Sequence, residues 1–273
     1  MKRRARPARG HLTARAVALA SAVLLLTGCA QSVDPIERLG KKAAEGVRRS
    51  APAPERAYRR WGLATPLAAP PRHLARPLAT RTLGHAGVVD RIATTDRVVF
   101  LTYDDAAVHD RSLTGLIGEL RLPVTVFTTP DGLGPGRPAR LLAAGVTVGG
   151  RLPRRPVLPG LSRARQRDEL CARQGRLAAR LGTRPRLLRP RAAAYDTTTL
   201  RAAADCGITA LVRWRAGTTR DGLAYTGGPE RLAPGDIIRV TPEREGGLAG
   251  RTARVLREVQ ERALTVGNLE DYL

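Results

Sequence analysis

The run Val98-Val-Phe-Leu-Thr-Tyr103 holds six apolar, aromatic or β-branched residues without a charge and then stops on two adjacent carboxylates, Asp104 and Asp105. A run of this kind reads as a buried strand, and the carboxylates mark the point where the chain leaves the sheet. Six more short runs follow, at 124–128, 145–148, 186–188, 208–214, 237–241 and 264–266, each bounded by Gly, Pro or charged residues. Helical periods lie between several of them. Leu170, Leu177 and Leu181 are closed by Gly182, and Leu200, Ala203 and Ala204 are opened by Asp196 or Thr197 and stopped at Gly207. Val255, Leu256, Val259 and Ala263 form the last. Alternation of this kind implies an α/β domain with a largely parallel sheet, and seven strands suit an incomplete barrel. In such folds chemistry sits where strands end and βα loops begin.

The alternation starts only after Val88. Residues 1–28 carry six cations, Lys2, Arg3, Arg4, Arg6, Arg9 and Arg15, and no acid. The apolar run from Ala16 to Leu26 is too short for an ordinary membrane-spanning helix and has the length of a signal-peptide core. It ends in Leu26-Thr-Gly-Cys29, which resembles the lipobox of bacterial lipoproteins, where the Cys becomes the N-terminus and carries lipid. An ordinary cleaved signal is the alternative. The expectation is an exported chain anchored to the outer face of the cytoplasmic membrane, with membrane lipid its partner through Cys29. Residues 29–87 read as a tether rich in Pro, Ala and Arg. Asp34-Pro35 opens a short helix there, and the chain is extended beyond Ser50. The domain itself is expected over 88–273.

Composition narrows the partners. Net charge is +23, yet 44 of the 47 cations are arginine, which with the many alanines reads as a codon bias and not as a nucleic-acid signature. Aromatic residues at 3% supply no stacking platform for single strands, so no nucleic acid is expected. The charge that remains on 29–273 favours anionic lipid head groups and anionic wall polymers. Past Cys29 only Cys171 and Cys206 remain. In an oxidising compartment they read as a disulfide closing a loop of roughly 35 residues and contributing about 3 kcal/mol; two buried free thiols are the alternative.

Two carboxylates at the end of an apolar run are costly unless paired, metal-bound or wet. The plain reading is a helix-capping acid beside a solvated neighbour. The wider context is more specific. Val98-Val-Phe-Leu-Thr-Tyr-Asp-Asp105 resembles the first motif of the polysaccharide deacetylases, the NodB-homology or carbohydrate esterase family 4 domain. The resemblance continues in order. Gly145-Val-Thr-Val-Gly-Gly-Arg-Leu-Pro-Arg-Arg-Pro-Val-Leu-Pro-Gly-Leu161 stands at the second motif, Leu188-Arg-Pro-Arg-Ala-Ala-Ala-Tyr195 at the third, Ala210-Leu-Val-Arg-Trp214 at the fourth and Pro234-Gly-Asp-Ile-Ile-Arg-Val-Thr241 at the fifth. It implies a distorted (β/α)7 barrel of the glycoside hydrolase/deacetylase type and metal-dependent hydrolysis of N-acetyl groups on a cell-wall or chitin-like glycan. By resemblance Asp104 is the base, Asp105 a metal ligand, Arg189 the partner of the base and Trp214 a wall of the groove.

Several positions depart from the pattern, among them Arg191-Ala192-Ala193 in the third motif and Ala106, where the first motif has Gly after the two acids. Arg151 and Arg155 stand where the family has the two metal-binding His, and Thr241 where it has the His that protonates the leaving amine. The histidine supply gives the same answer without any alignment: His11, His73 and His85 precede the domain, and only His109 lies in it, more naturally a loop residue beside Asp110 than a ligand. Activating water takes a metal that lowers its pKa from about 15.7 to about 7. A guanidinium repels the metal and has no lone pair. A Thr hydroxyl cannot serve as the acid. Arg151 or Arg155 could instead bind Asp104 and Asp105, as an internal ion pair or as part of a pocket for an anionic ligand. The family uses a divalent metal such as zinc, whereas no cofactor is expected here and the domain reads as a catalytically impaired deacetylase. The alternatives are an active deacetylase recruiting metal through Asp105, hydrolysing a non-peptide carbon–nitrogen bond, and a non-catalytic module for glycan or anionic wall polymer.

Overall fold

The central strand β2, Val98–Tyr103, is buried at all six positions, because it lies inside a sheet covered on both faces. In the computed structural model, residues 55–71, 86–134, 136–152, 155–191, 194–242 and 247–273 are described, all within one unit, Glu45–Leu273. The signal, the lipobox Cys29 and the short helix after Asp34 lie outside them. Around β2 stand β1 (Gly87–Val89), β3 (Thr125–Thr128), β4 (Thr147–Arg151), β5 (Leu187–Arg189), β6 (Ala210–Val212), β7 (Ala216–Thr218), β8 (Leu223–Tyr225), β9 (Ile237–Val240) and β10 (Thr265–Val266). Their order is β1-β6-β5-β4-β3-β2-β9-β7-β8, with β10 paired to the start of β2. Every pairing is parallel except that of β7 with β8. The helices are α1 (Glu55–Arg60), α2 (Arg111–Leu120), α3 (Arg137–Ala143), α4 (Arg163–Leu181), α5 (Thr197–Asp205) and α6 (Gly247–Glu261). This is the curled, parallel-rich (β/α) half-barrel that the alternation of elements implies.

The strands sort their side chains by the period of two. Phe100, Phe127, Leu187, Ala210, Val212 and Ile237 meet on the concave face, closed by Tyr272 and Leu273. Val99, Leu101 and Tyr103 point the other way, onto Leu113, Leu116, Ile117 and Leu256 of α2 and α6. Each such side chain contributes about 1.5–3 kcal/mol by leaving water. Two helices are tied by one carboxylate: Asp110 caps α2 by accepting from Leu113 N at 2.8 Å and reaches Leu248 N of α6 at 3.1 Å.

Two glycines are required by close approach. A Cβ on Gly149 would sit 2.5 Å from the Phe127 ring, and one on Gly235 only 1.9 Å from the Ile92 carbonyl oxygen, at φ +85°. The first lets β4 lie flat against Phe127. The second makes the turn into β9.

Cys171 on α4 and Cys206 after α5 are joined by a disulfide, as the cysteine count leads one to expect. It staples the two helices that cover β5 and β6, and closing a loop of this size stabilises the domain by about 3–4 kcal/mol in the chain-entropy model.

The segment after Ser50 differs from the expected extended tether. Residues 55–60 form α1, Tyr58 and Leu63 are buried in the main core, and Trp61 Nε1 donates to Glu119 at 2.8 Å. Three apolar side chains within six residues bury more readily than they hydrate. The remaining differences lie at element ends. β4 begins later and ends at Arg151 because Gly145, at φ +82°, is still in the turn leaving α3. β6 stops at Val212, leaving Trp214 past the strand. β1, β7 and β8, three residues each, and helices α2 and α3 were not anticipated.

Candidate functional site

The period that builds the concave core also builds the cluster at its rim. Val98, Phe100 and Thr102 face inward on β2, so Asp104, the next residue of that parity, emerges at the mouth. By the same count β4 delivers Arg151 after Gly149, β5 delivers Arg189 after Leu187, and β9 delivers Arg239 and Thr241 after Ile237. Five polar groups thus converge at strand ends, where this class of fold places its chemistry.

Asp104 is the hub. Its Oδ1 accepts from Arg189 Nη1 at 3.3 Å and faces Arg151 Nε at 3.6 Å. Its Oδ2 accepts from Arg239 Nε at 2.9 Å and lies 2.7 Å from Nη2 of the same ion pair. Asp105 is equally engaged: Oδ1 accepts from Thr128 Oγ1 at 2.9 Å and Thr129 N at 3.1 Å, and Oδ2 from Arg151 Nη1. Arg189 is 1% exposed. Its Nη2 donates to Thr102 Oγ1 at 2.8 Å, and its guanidinium lies 4.1 Å from the Phe127 ring. Arg239 stacks on Trp214 at 4.4 Å.

Burial by itself raises the Asp104 carboxyl, but Arg189, Arg239 and Arg151 outweigh it and hold the group below the ordinary carboxylate range. Burial is also the chief influence on Arg189, which falls to about 10; Asp104 opposes that shift, and the two neighbouring guanidiniums add to it. The cluster carries three cations on two anions.

Thr241 lies just past β9, its amide donating to Thr218 Oγ1 at 3.0 Å and its hydroxyl 3.2 Å from the same oxygen. Trp214, half-buried, lines the adjoining cavity with Arg239 and Thr241. Of the two arginines that could pair with these acids, Arg151 does so, whereas Arg155 is exposed and makes no ion pair among the described residues. It lies four residues beyond the end of β4, Asp104 and Asp105 are already saturated, and a lone guanidinium stays in water. Arg239, absent from the candidate residues, takes the second place on Asp104. The alternation Ile237, Arg239, Thr241 against buried Ile238 and Val240 is the signal that could have found it.

The donor set does not fit a divalent ion. No group of three or more His, Cys, Asp or Glu side chains stands together among the described residues. The only histidine among them, His109, is exposed at the end of a 3-10 turn. Arg151 directs a permanent positive charge at the Asp105 oxygen a metal would need.

Comparison with known proteins agrees with this architecture. The polysaccharide deacetylase family model matches residues 91–211. An uncharacterized protein of Streptomyces coelicolor is 52% identical over 191 residues, covering 68% of this chain and 77% of that protein. Among solved structures, a carbohydrate esterase family 4 pseudoenzyme from Bacillus anthracis superposes with a TM-score of 0.56 at 15% identity, covering 68% of each chain. A mutant of that pseudoenzyme with restored enzymatic activity gives the same score at 16% identity, covering 68% of this chain and 70% of that one. A family 4 carbohydrate esterase from Bacillus anthracis gives 0.55 at 17% identity, covering 68% and 86%. The fold is the (β/α) half-barrel that these solved structures share. The chain belongs to the polysaccharide deacetylase family.

Proposed function

We propose that this chain is a cell-envelope lipoprotein whose polysaccharide-deacetylase domain is catalytically impaired and engages a cell-wall glycan without deacetylating it. The observation that carries the reading is the Arg151 guanidinium lying on Asp105 and facing Asp104. Three chemical consequences support it. Both Asp105 oxygens are already engaged, one of them by a guanidinium that repels a metal. Asp104, held below the carboxylate range by its arginines, is a poor general base, since a base works best with a pKa near the operating pH. The position of the leaving-group acid holds Thr241, whose hydroxyl stays protonated throughout the neutral range. Retention of the fold without the reaction has a precedent in the Bacillus anthracis pseudoenzyme.

The test is acetate release from acetylated chito-oligosaccharides and peptidoglycan fragments by the purified protein, with and without added zinc, cobalt or nickel. No release above a blank is expected, since loss of the general acid alone removes about 10²–10⁴ in rate. Metal-dependent release abolished by Asp104→Asn would overturn the reading.

The anchoring half of the proposal rests on Leu26-Thr-Gly-Cys29 after a basic and then apolar leader. The protein should fractionate with membranes, and Cys29→Ala should move it to the soluble or unprocessed pool. Unchanged processing and fractionation would exclude lipidation at Cys29.

A further inference from the structure

A cavity of about 230 Å³ opens beside the cluster, bounded by Trp214, Gly217, Thr218, Tyr225, Arg239 and Thr241. Two aromatic rings, threonine hydroxyls and one guanidinium line it, and no carboxylate does. A neighbouring cavity of about 140 Å³ sets Asp221 and Glu258 among Arg220, Arg251 and Arg254 and has no aromatic ring in its lining, so it offers a sugar no stacking face and places carboxylates beside its cations.

Donors remain unspent in the larger cavity. Arg239 directs Nε and Nη2 at the same Asp104 oxygen, and its Nη1 has no hydrogen-bond partner among the described residues. The Trp214 indole Nε1, set against Gly217, likewise donates to no described residue. Arg151, Arg189 and Arg239 exceed Asp104 and Asp105 by one positive charge, and Arg239 is the most exposed of the three, at 28%.

We infer that this cavity binds one acidic pyranose of a wall glycan, its ring against Trp214 and Tyr225 and its carboxylate on the unspent edge of Arg239. Aromatic faces suit the apolar face of a sugar, and a planar guanidinium suits a carboxylate. One charge is in excess, and a ring-borne carboxylate brings one. It also keeps ring and charge within a single small cavity, which a phosphodiester between units does not. The inference deepens the impaired-deacetylase reading and rests on it, because Arg151 leaves Asp105 neutralised and unable to repel the ligand.

The experiment is calorimetric titration of the full mature chain at low salt with three probes: a hexuronic acid tetrasaccharide, an N-acetylglucosamine tetrasaccharide and a glycerol-phosphate oligomer. The uronic acid probe should bind at least about tenfold more tightly than either of the others, as a charge-assisted contact made by only one of them implies. Trp214→Ala and Arg239→Gln should each abolish that preference. Because Arg239 also supports Asp104, Thr241→Glu serves as a second variant that places a carboxylate in the cavity and leaves the Arg239–Asp104 pair intact; it too should abolish the preference. Arg140→Ala, at an exposed position of α3 outside the cavity, should change nothing. Equal affinity for acidic and neutral probes, tighter binding of the phosphate oligomer, or an equal loss in Arg140→Ala would overturn the inference. Acetate released from the N-acetylglucosamine probe would instead count against the impaired-deacetylase reading, so the two failures are distinguishable.

Discussion

Replacing Arg215 by Ala lowers the unfolding free energy by about 3–5 kcal/mol, the scale for breaking a buried ion pair from one side. Asp236 is completely buried and receives both Nε and Nη2 of Arg215. The same guanidinium donates to the carbonyls of Gly227 at 2.9 Å, Pro229 at 3.0 Å and Arg231 at 2.6 Å. One side chain therefore neutralises a carboxylate and ties down the loop that leads into β9 and Arg239. Removing it leaves Asp236 with the Ala233 amide at 2.8 Å and the longer approach of Arg91 at 3.5 Å. Arg215→Lys should rescue little, because a single ammonium cannot reproduce the planar fork. Urea unfolding with an unchanged slope measures the loss. A change below about 1 kcal/mol would mean that the pair behaves as a surface pair.

Asp104→Ala should also destabilise by about 3–5 kcal/mol at neutral pH. It leaves Arg189, Arg151 and Arg239 facing one another, with Arg189 almost wholly buried and, among the described residues, hydrogen-bonded only to Thr102 Oγ1 and, weakly, the Val212 carbonyl. The sign is informative. In a site strained for catalysis, removal of a working residue often leaves stability unchanged or improved; here Asp104 serves as a structural counter-ion. The pH dependence follows from the lowered Asp104 carboxyl. As pH falls below the ordinary Asp value of about 3.9, the unfolded chain takes up the proton first, so the stabilisation present at neutral pH is lost as pH drops through the folded value. Wild type and Asp104→Ala should therefore converge in acid. A stability difference that is constant from neutral pH into strong acid would contradict the account.

Much of the fold was legible because buried parallel strands write themselves as short apolar runs. Val98–Tyr103 was bounded correctly at both ends, and Asp196 and Gly182 marked helix ends as capping chemistry requires. Elements whose sequences carry no such run, such as Ala216–Thr218, escaped because their pairing is decided by neighbours. Asp104, Asp105, Arg151 and Arg189 came together as their motif positions imply. Arg155 did not, since a motif spacing that serves a metal ligand places a long cation in solvent just as readily. Arg239 carries no motif signal of its own, and only strand parity, which it shares with Ile237 and Thr241, names it as inward-facing. The packing of Tyr58 and Leu63 shows that a segment dense in Pro and Arg still docks when it carries apolar side chains that meet a core.

The central claim is that a guanidinium occupies the place where this family's chemistry needs a metal. Metal analysis and zinc titration of the purified wild-type protein at neutral pH test it most directly. The account predicts no stoichiometric zinc and no saturable uptake, because Asp105 is engaged by Thr128, Thr129 and Arg151 and no group of three or more His, Cys, Asp or Glu side chains stands together among the described residues. One zinc per chain, lost in Asp105→Ala, would contradict it.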